Sequence, residues 1–240
     1  MSSRRATSTG WSWRSPASGC SITSLSQEGA GPTQDGHVVW LGSHADYQET
    51  WELQRRLVAE RVDGTAPDTL LLLEHAPVYT AGRRTLDEHV KGTLHAPLIE
   101  TDRGGQLTYH GPGQLVGYPI VALGERGMGP KAYVKALEAA LLETLDLHGV
   151  AAHTEEGLTG VWTAHGKIAA IGVKITRGVS MHGFALNVTT DLSAYEPIVA
   201  CGIDDRPTTS MARFGEAPPM AEVAKTVTER LGGQLGISWE

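Results

Sequence analysis

The chain has few of the residues that would point to stapled, membrane-bound or metal-holding proteins. Only two of its 240 residues are cysteines, Cys20 and Cys201. Two cysteines cannot build a disulfide framework, so the expected setting is a reducing cytoplasm with Cys201 as a free thiol. No uninterrupted apolar run approaches the ~20 residues of a membrane-spanning helix, which excludes an integral helical membrane protein. Basic residues are outnumbered, 20 Lys and Arg against 27 Asp and Glu. That balance argues against nucleic acid as the main partner, while leaving room for a local basic patch. Ten histidines are present, yet no His-x-x-x-His or Cys-x-x-Cys pattern selects a metal site. No Gly-Lys-Ser/Thr closes a phosphate loop, and no glycine spacing fits a dinucleotide fingerprint.

Acidic residues are missing altogether before Glu28, where three arginines sit among many serines. Residues 1–36 have little to bury and read as a disordered tail without the apolar core of a secretory signal. Residues 37–240 read as one domain, long enough to enclose a core unaided. Within it, residues 38–41 and 69–73 suggest strands, the second buried on both faces. Residues 45–62 suggest a helix with Tyr47, Trp51, Leu57 and Val58 near one side. Residues 106–109 and 115–123 suggest further strands. Pro130 opens a helix reaching about residue 148, with Tyr133, Val134, Leu137, Leu141 and Leu145 inward. Residues 158–163 and 168–175 form a candidate hairpin, and 179–188 another strand. A last helix over 221–231 is expected to stop at Gly232-Gly233. Helices scattered among strands without a regular βαβ rhythm predict an α+β fold, a mixed β-sheet flanked by helices.

Four stretches can carry chemistry. The densest holds Arg103, Gly104, Gly105, Gln106, Leu107, Thr108, Tyr109 and His110, followed by Gly111-Pro112-Gly113-Gln114. A glycine pair lets the backbone approach a ligand, and Arg103 offers a fixed charge at the loop entrance. The plain structural alternative is a glycine-rich hairpin with an exposed arginine. The second stretch is Gly166-Lys167-Ile168-Ala169-Ala170-Ile171-Gly172, a lysine opening a strand of small residues. Those small residues suit an acyl chain or tight sheet packing. Lys174, seven residues on, is expected on the opposite face by strand alternation. The third is His182-Gly183-Phe184-Ala185-Leu186-Asn187, which taken alone is a core strand with satisfied polar groups. The fourth is Cys201-Gly202-Ile203. A lone cysteine among aliphatics is normally a small hydrophobe, although the glycine after it can free backbone N–H groups for an oxyanion.

Together these stretches resemble the lipoyl (octanoyl)-protein transferase B family, octanoyltransferases of the biotin/lipoate protein ligase catalytic-domain superfamily. Glu74-His75-x-Pro77-Val78-Tyr79-Thr80 adds to the likeness, which spans about residues 37–231. Ala200 departs from it, because the family usually has proline before the cysteine. The resemblance implies the mixed sheet of biotin and lipoate ligases. It implies Cys201 as acyl-thioester nucleophile with Lys167 as its partner. It further implies an acyl site lined by Arg103 through His110, by Ala170, Ile171 and Gly172, and by Gly183, Phe184 and Ala185. The implied reaction moves octanoyl from octanoyl-acyl carrier protein to a lysine of lipoyl domains, in 2-oxoacid dehydrogenases and the glycine cleavage H protein. ATP, cofactor and metal are not expected, nor are nucleic acid or membrane partners, and a monomer is anticipated. Arg83, Arg84, Lys91, Arg103 and Lys131 are the expected docking patch for acidic protein substrates.

Three rivals remain at this level. An ATP-dependent lipoate or biotin protein ligase would activate a free acid and need no nucleophilic cysteine. An amidotransferase would take octanoyl from a protein-bound amide. A non-catalytic acyl-carrier-binding module would work without Cys201.

Overall fold

A computed structural model describes residues 34–199 and 206–240 of the chain; Cys20 and Cys201 lie outside them. Among the described residues the order is β1 (Gln34–Trp40), α1 (Tyr47–Val62), β2 (Thr69–Leu73), β3 (Val78–Ala81), β4 (Leu98–Glu100), β5 (Thr108–His110) and β6 (Gln114–Ile120). Then follow α2 (Pro130–Leu147), β7 (His153–Glu155), β8 (Leu158–Thr163), β9 (Gly166–Thr176), β10 (Val179–Asn187), α3 (Met220–Leu235) and β11 (Ile237–Trp239). Eight strands make one sheet in the order β11-β1-β2-β6-β10-β9-β8-β7, and β4-β3-β5 make a second. The first three strands of the large sheet run parallel and the rest antiparallel. The fold is α+β, a mixed sheet with helices on both faces. Among the described residues no helix is long and apolar enough to cross a membrane.

Strand alternation assigns the helices to opposite faces. Leu70 and Leu72 of β2 join Leu115, Phe184 and Leu186 in a core with Leu137 and Leu141 of α2 and Val227 and Leu231 of α3. Leu71 and Leu73 point the other way, to Tyr118 and Ala185 and to Leu53 and Leu57 of α1. An all-aliphatic strand is what two covered faces require. The start of α1 is set by Asp46, whose carboxylate accepts from Glu49 N–H at 2.9 Å. Pro130 opens α2, where its missing N–H costs nothing.

Of the boundaries that differ from the sequence reading, two bear on packing at the chain's ends. Gln34, Asp35 and Gly36, counted with the tail by composition, belong to β1 and pair with Ile237, Ser238 and Trp239. The last helix does not stop at Gly232-Gly233 but continues to Leu235, and Gly236 caps it with φ +67°. Gly232 serves close packing instead. A Cβ there would lie 2.6 Å from the Ile237 carbonyl oxygen.

Candidate active site

The glycine-rich loop is bolted down by its arginine. Arg103 is 7% exposed. Its Nη2 donates to the Thr80 carbonyl at 2.6 Å, to Thr80 Oγ1 at 2.8 Å and to the Gln106 carbonyl at 2.8 Å. The expectation of an exposed charge at the loop entrance, and of Arg103 in a docking patch, is therefore corrected. A guanidinium that satisfies several carbonyls from inside a loop is a brace. Gly104 N–H donates to the Val173 carbonyl at 3.0 Å, laying the loop across β9. A Cβ on Gly172 would come within 2.8 Å of the Gly104 oxygen, so the crossing needs glycine there.

Lys167 reaches the same side of the sheet through an irregularity. Val161 pairs with Ala169, but the next residue, Trp162, pairs with Lys167, leaving Ile168 as an extra residue in β9. Such a β-bulge reverses the alternation beyond it. Lys167 therefore shares a face with Ala170, Gly172 and Lys174, which corrects the expectation that the two lysines point apart. Lys167 is buried, with Nζ 5.1 Å from the centre of the Trp162 ring. Gly160 makes room for it, since a Cβ there would lie 2.6 Å from Lys167 Cε.

Between this floor and the loop lies a cavity of about 320 Å³. Ala170 pairs with Ala185 and Gly172 with Gly183, two rungs of small residues on neighbouring strands. All four border the cavity, with Ile171, Phe184 and Lys167. From the loop come Arg103, Gly105, Gln106, Thr108 and His110. Gly104 does not border it, nor do Leu107 and Tyr109, which pack with Tyr79 and Ile198 in a separate cluster. The sequence reading placed Tyr47 on a helix face and left His182 and Tyr118 without a role, yet all three line the cavity. Residues 157–159 of β8 and the turn before it, with Arg84, form the exposed rim.

The inner end is a buried polar-aromatic cluster. His75 Nδ1 donates to the Ala45 carbonyl at 2.9 Å while Nε2 accepts from Tyr118 OH at 2.8 Å. His110 Nδ1 donates to Gln114 Oε1 at 2.7 Å, which leaves Nε2 as the basic nitrogen. The Gln114 amide in turn donates to Asn187 Oδ1 at 2.9 Å. Burial lowers His75 to about 4. Burial, with the charges of His75 and Arg103, holds His110 well below its ordinary value. Burial also raises the Tyr47 phenol to about 12. These groups are neutral near pH 7, suited to hydrogen bonding rather than to carrying charge. Among the described residues no group of three or more His, Cys, Asp or Glu is arranged to hold a metal.

Cys201 falls outside the described residues, but both flanks of its segment are tied down. Val199 N–H donates to the His89 carbonyl at 2.8 Å. On the other side Lys167 N–H donates to the Pro207 carbonyl at 2.9 Å, and Thr209 N–H to the Lys167 carbonyl at 2.9 Å. Residues 207–209 thus run directly beside Lys167.

The catalytic-domain model of the lipoyl protein ligase A/B family matches residues 46–232. An octanoyltransferase of Chloroflexus aggregans is 49% identical over 197 residues, 78% of this chain and 89% of that protein. The chain belongs to the octanoyltransferase family. It is an acyltransferase. Its fold is shared more widely. The bi-partite lipoate protein ligase of Thermoplasma acidophilum superposes with a TM-score of 0.66 at 15% identity, covering 86% of each chain. The biotin protein ligase of Aquifex aeolicus superposes with a TM-score of 0.54 at 15% identity, covering 83% of this chain and 70% of that one.

Proposed function

We propose that this chain moves an octanoyl group from octanoyl-acyl carrier protein to the ε-amine of a lipoyl-domain lysine, through a thioester on Cys201 and without ATP. The observation that carries this reading is a buried lysine in the wall of a cavity floored by alanine and glycine, with residues 207–209, a few positions after Cys201 in the chain, hydrogen-bonded to its backbone. A free cysteine has a pKa of ~8.5, so only a few per cent is thiolate at neutral pH. A lysine ammonium within a few Å raises that fraction. The thiolate adds to the donor carbonyl, the carrier sulfur leaves, and it departs as a thiol after taking up a proton. One thioester replaces another, which makes this step nearly balanced. The acceptor amine then adds to the new carbonyl and Cys201 sulfur leaves. The amine loses its proton as the amide forms, and this exchange runs downhill. Lys167 steadies the oxyanion in both steps and exchanges the proton with the amine, and His110 Nε2 is a second basic group in the cavity.

Each buried methylene of the acyl chain is worth ~0.8 kcal/mol. Ala170 and Ala185 therefore hold the chain without a charged contact. In this reading Arg83 and Arg84 guide acidic carrier and lipoyl domains to the mouth, and the enzyme works as a cytoplasmic monomer. Intact mass after mixing with octanoyl-acyl carrier protein, without ATP, tests the relay. Wild type is expected to gain one octanoyl group and lose it when an apo lipoyl domain is added, whereas Cys201→Ser gains none. Octanoylation of the lipoyl domain that persists in Cys201→Ser, or that requires ATP, would overturn the proposal.

A further inference from the structure

The cavity runs along β9 and β10, and the end opposite Lys167 is polar, where an acyl site would be expected to be apolar. His182 sits there, 1% exposed, with Nε2 2.9 Å from Asp102 Oδ1. Lys174 Nζ holds the other carboxylate oxygen of Asp102 at 2.5 Å. Burial opposes the charge on Asp102, but hydrogen bonds from Lys174 and His182 outweigh it and lower its pKa. The carboxylate therefore accepts, His182 Nε2 carries the proton, and Nδ1 is left as a lone-pair acceptor. Among the described residues that nitrogen is buried without a hydrogen-bond partner.

The backbone is strained to put this ring where it is. Along β10, Ser180, Phe184 and Leu186 face α2 and α3, whereas Met181, Gly183 and Ala185 face α1. Alternation would send His182 with the first group. Instead it adopts φ +59°, a left-handed conformation uncommon outside glycine, and borders the cavity on the α1 side. Its N–H is held in that pose by Gln54 Oε1 at 2.8 Å. The Trp51 ring lies 6.1 Å away and Tyr118 presents its edge at 6.3 Å. Strain kept at a cavity wall is a reason to look for a function.

The spacing fits a measuring role. Lys167 Nζ packs beside Gly160, next to the Ala169 carbonyl, and His182 pairs with Val173, three residues beyond the adjoining Ala170–Ala185 rung. Three strand residues span about 10 Å. Eight carbons, fully extended in C–C bonds near 1.5 Å, span about 9 Å. We propose, resting on the transferase reading above, that His182, positioned by Asp102 and Lys174, limits acyl length by ending the cavity in a hydrogen-bond acceptor. A chain of eight carbons stops at this nitrogen. A longer apolar chain would press methylenes against it and cover an acceptor that water or a donor must otherwise satisfy. A chain ending in a hydroxyl at that depth would donate to it.

The test compares octanoyl, decanoyl and 8-hydroxyoctanoyl thioesters of acyl carrier protein as donors to an apo lipoyl domain. Wild type is expected to favour octanoyl over decanoyl by about tenfold or more, and to use 8-hydroxyoctanoyl within about threefold of octanoyl. Folded His182→Leu should use decanoyl about tenfold better relative to octanoyl and should lose the hydroxylated donor. If wild type rejects 8-hydroxyoctanoyl by about tenfold or more, the assignment fails even when the variant cannot be prepared. An unchanged decanoyl-to-octanoyl ratio in folded His182→Leu fails it as well. Wild type that transfers no octanoyl at all would instead overturn the transferase reading, and the length limit with it.

Discussion

The two faces of the β9–β10 pair are built from the same strands and do different work. On the face toward α2 and α3, Ala169, Ile171, Phe184 and Leu186 are packed into the main core. On the face toward α1, Ala170, Gly172, Gly183 and Ala185 leave a cavity that Lys167 enters from one end and His182 from the other. Neither lysine nor histidine arrives by regular alternation. A bulge turns Lys167 over, and a left-handed backbone turns His182 over. A core face tolerates regular pleating. The cavity face is made by withholding side-chain volume and breaking the pleat at two places.

The largest expected effect comes from removing the group that the bulge delivers. Lys167→Met should lower octanoyl transfer by ~10²–10⁴-fold with little loss of Tm, read by steady-state kinetics and thermal melting. Retained activity would separate the bulge from the chemistry. A smaller loss is expected when the lysine is kept but crowded. Gly160→Ala puts a methyl within 2.6 Å of Lys167 Cε at a backbone φ of +122°, and activity should fall by roughly tenfold or more. Equal activity would mean that Lys167 does not need its observed pose.

Protonation of buried histidines affects the stability of the fold. His75 and His182 are both lowered to about 4, chiefly by burial. The unfolded chain binds their protons first, near pH 6.5, so the stabilisation is complete above that value and falls away as pH drops toward 4. Each ring accounts for about 2 kcal/mol between pH 7 and pH 5. Tm should fall by roughly 10 °C over that range. A flat profile would show that these rings are not held neutral. The smallest effect concerns the chain's entry. A protein beginning at Gln34 should melt like the full chain. One beginning at His37 loses the pairing of residues 34–36 with β11 and should melt a few degrees lower, by about 1–2 kcal/mol.

Much of this arrangement was legible in the residues. The apolar run over β2, the inward spacing along α2, the β8–β9 hairpin and the small residues of β9 and β10 all lie where their patterns put them. The motifs that carried the family resemblance supply most of the cavity wall. What escaped was tertiary. β4, β7 and β11 are three residues each, too short to show a period. Gly232-Gly233 has the local look of a helix stop, but its helix is held by packing against β11. Arg103 looked like a surface charge because nothing local reveals that Thr80 lies beneath it. The bulge at Ile168 and the twist at His182 leave no mark in composition. Tyr47 comes from a helix far away in sequence.

One pair of substitutions tests the two-face account most directly. Ala169 and Ala170 are neighbours on β9, the first 1% exposed in the core and the second bordering the cavity. Each is replaced by leucine, and Tm and octanoyl transfer are measured on both. Ala169→Leu should overpack the core, costing about 1–3 kcal/mol of stability while the folded protein stays active. Ala170→Leu should leave Tm nearly unchanged and cut octanoyl transfer by about a hundredfold, because the leucine occupies the acyl floor. If Ala170→Leu transfers octanoyl as well as wild type, the acyl chain does not lie on this face, and the account is contradicted.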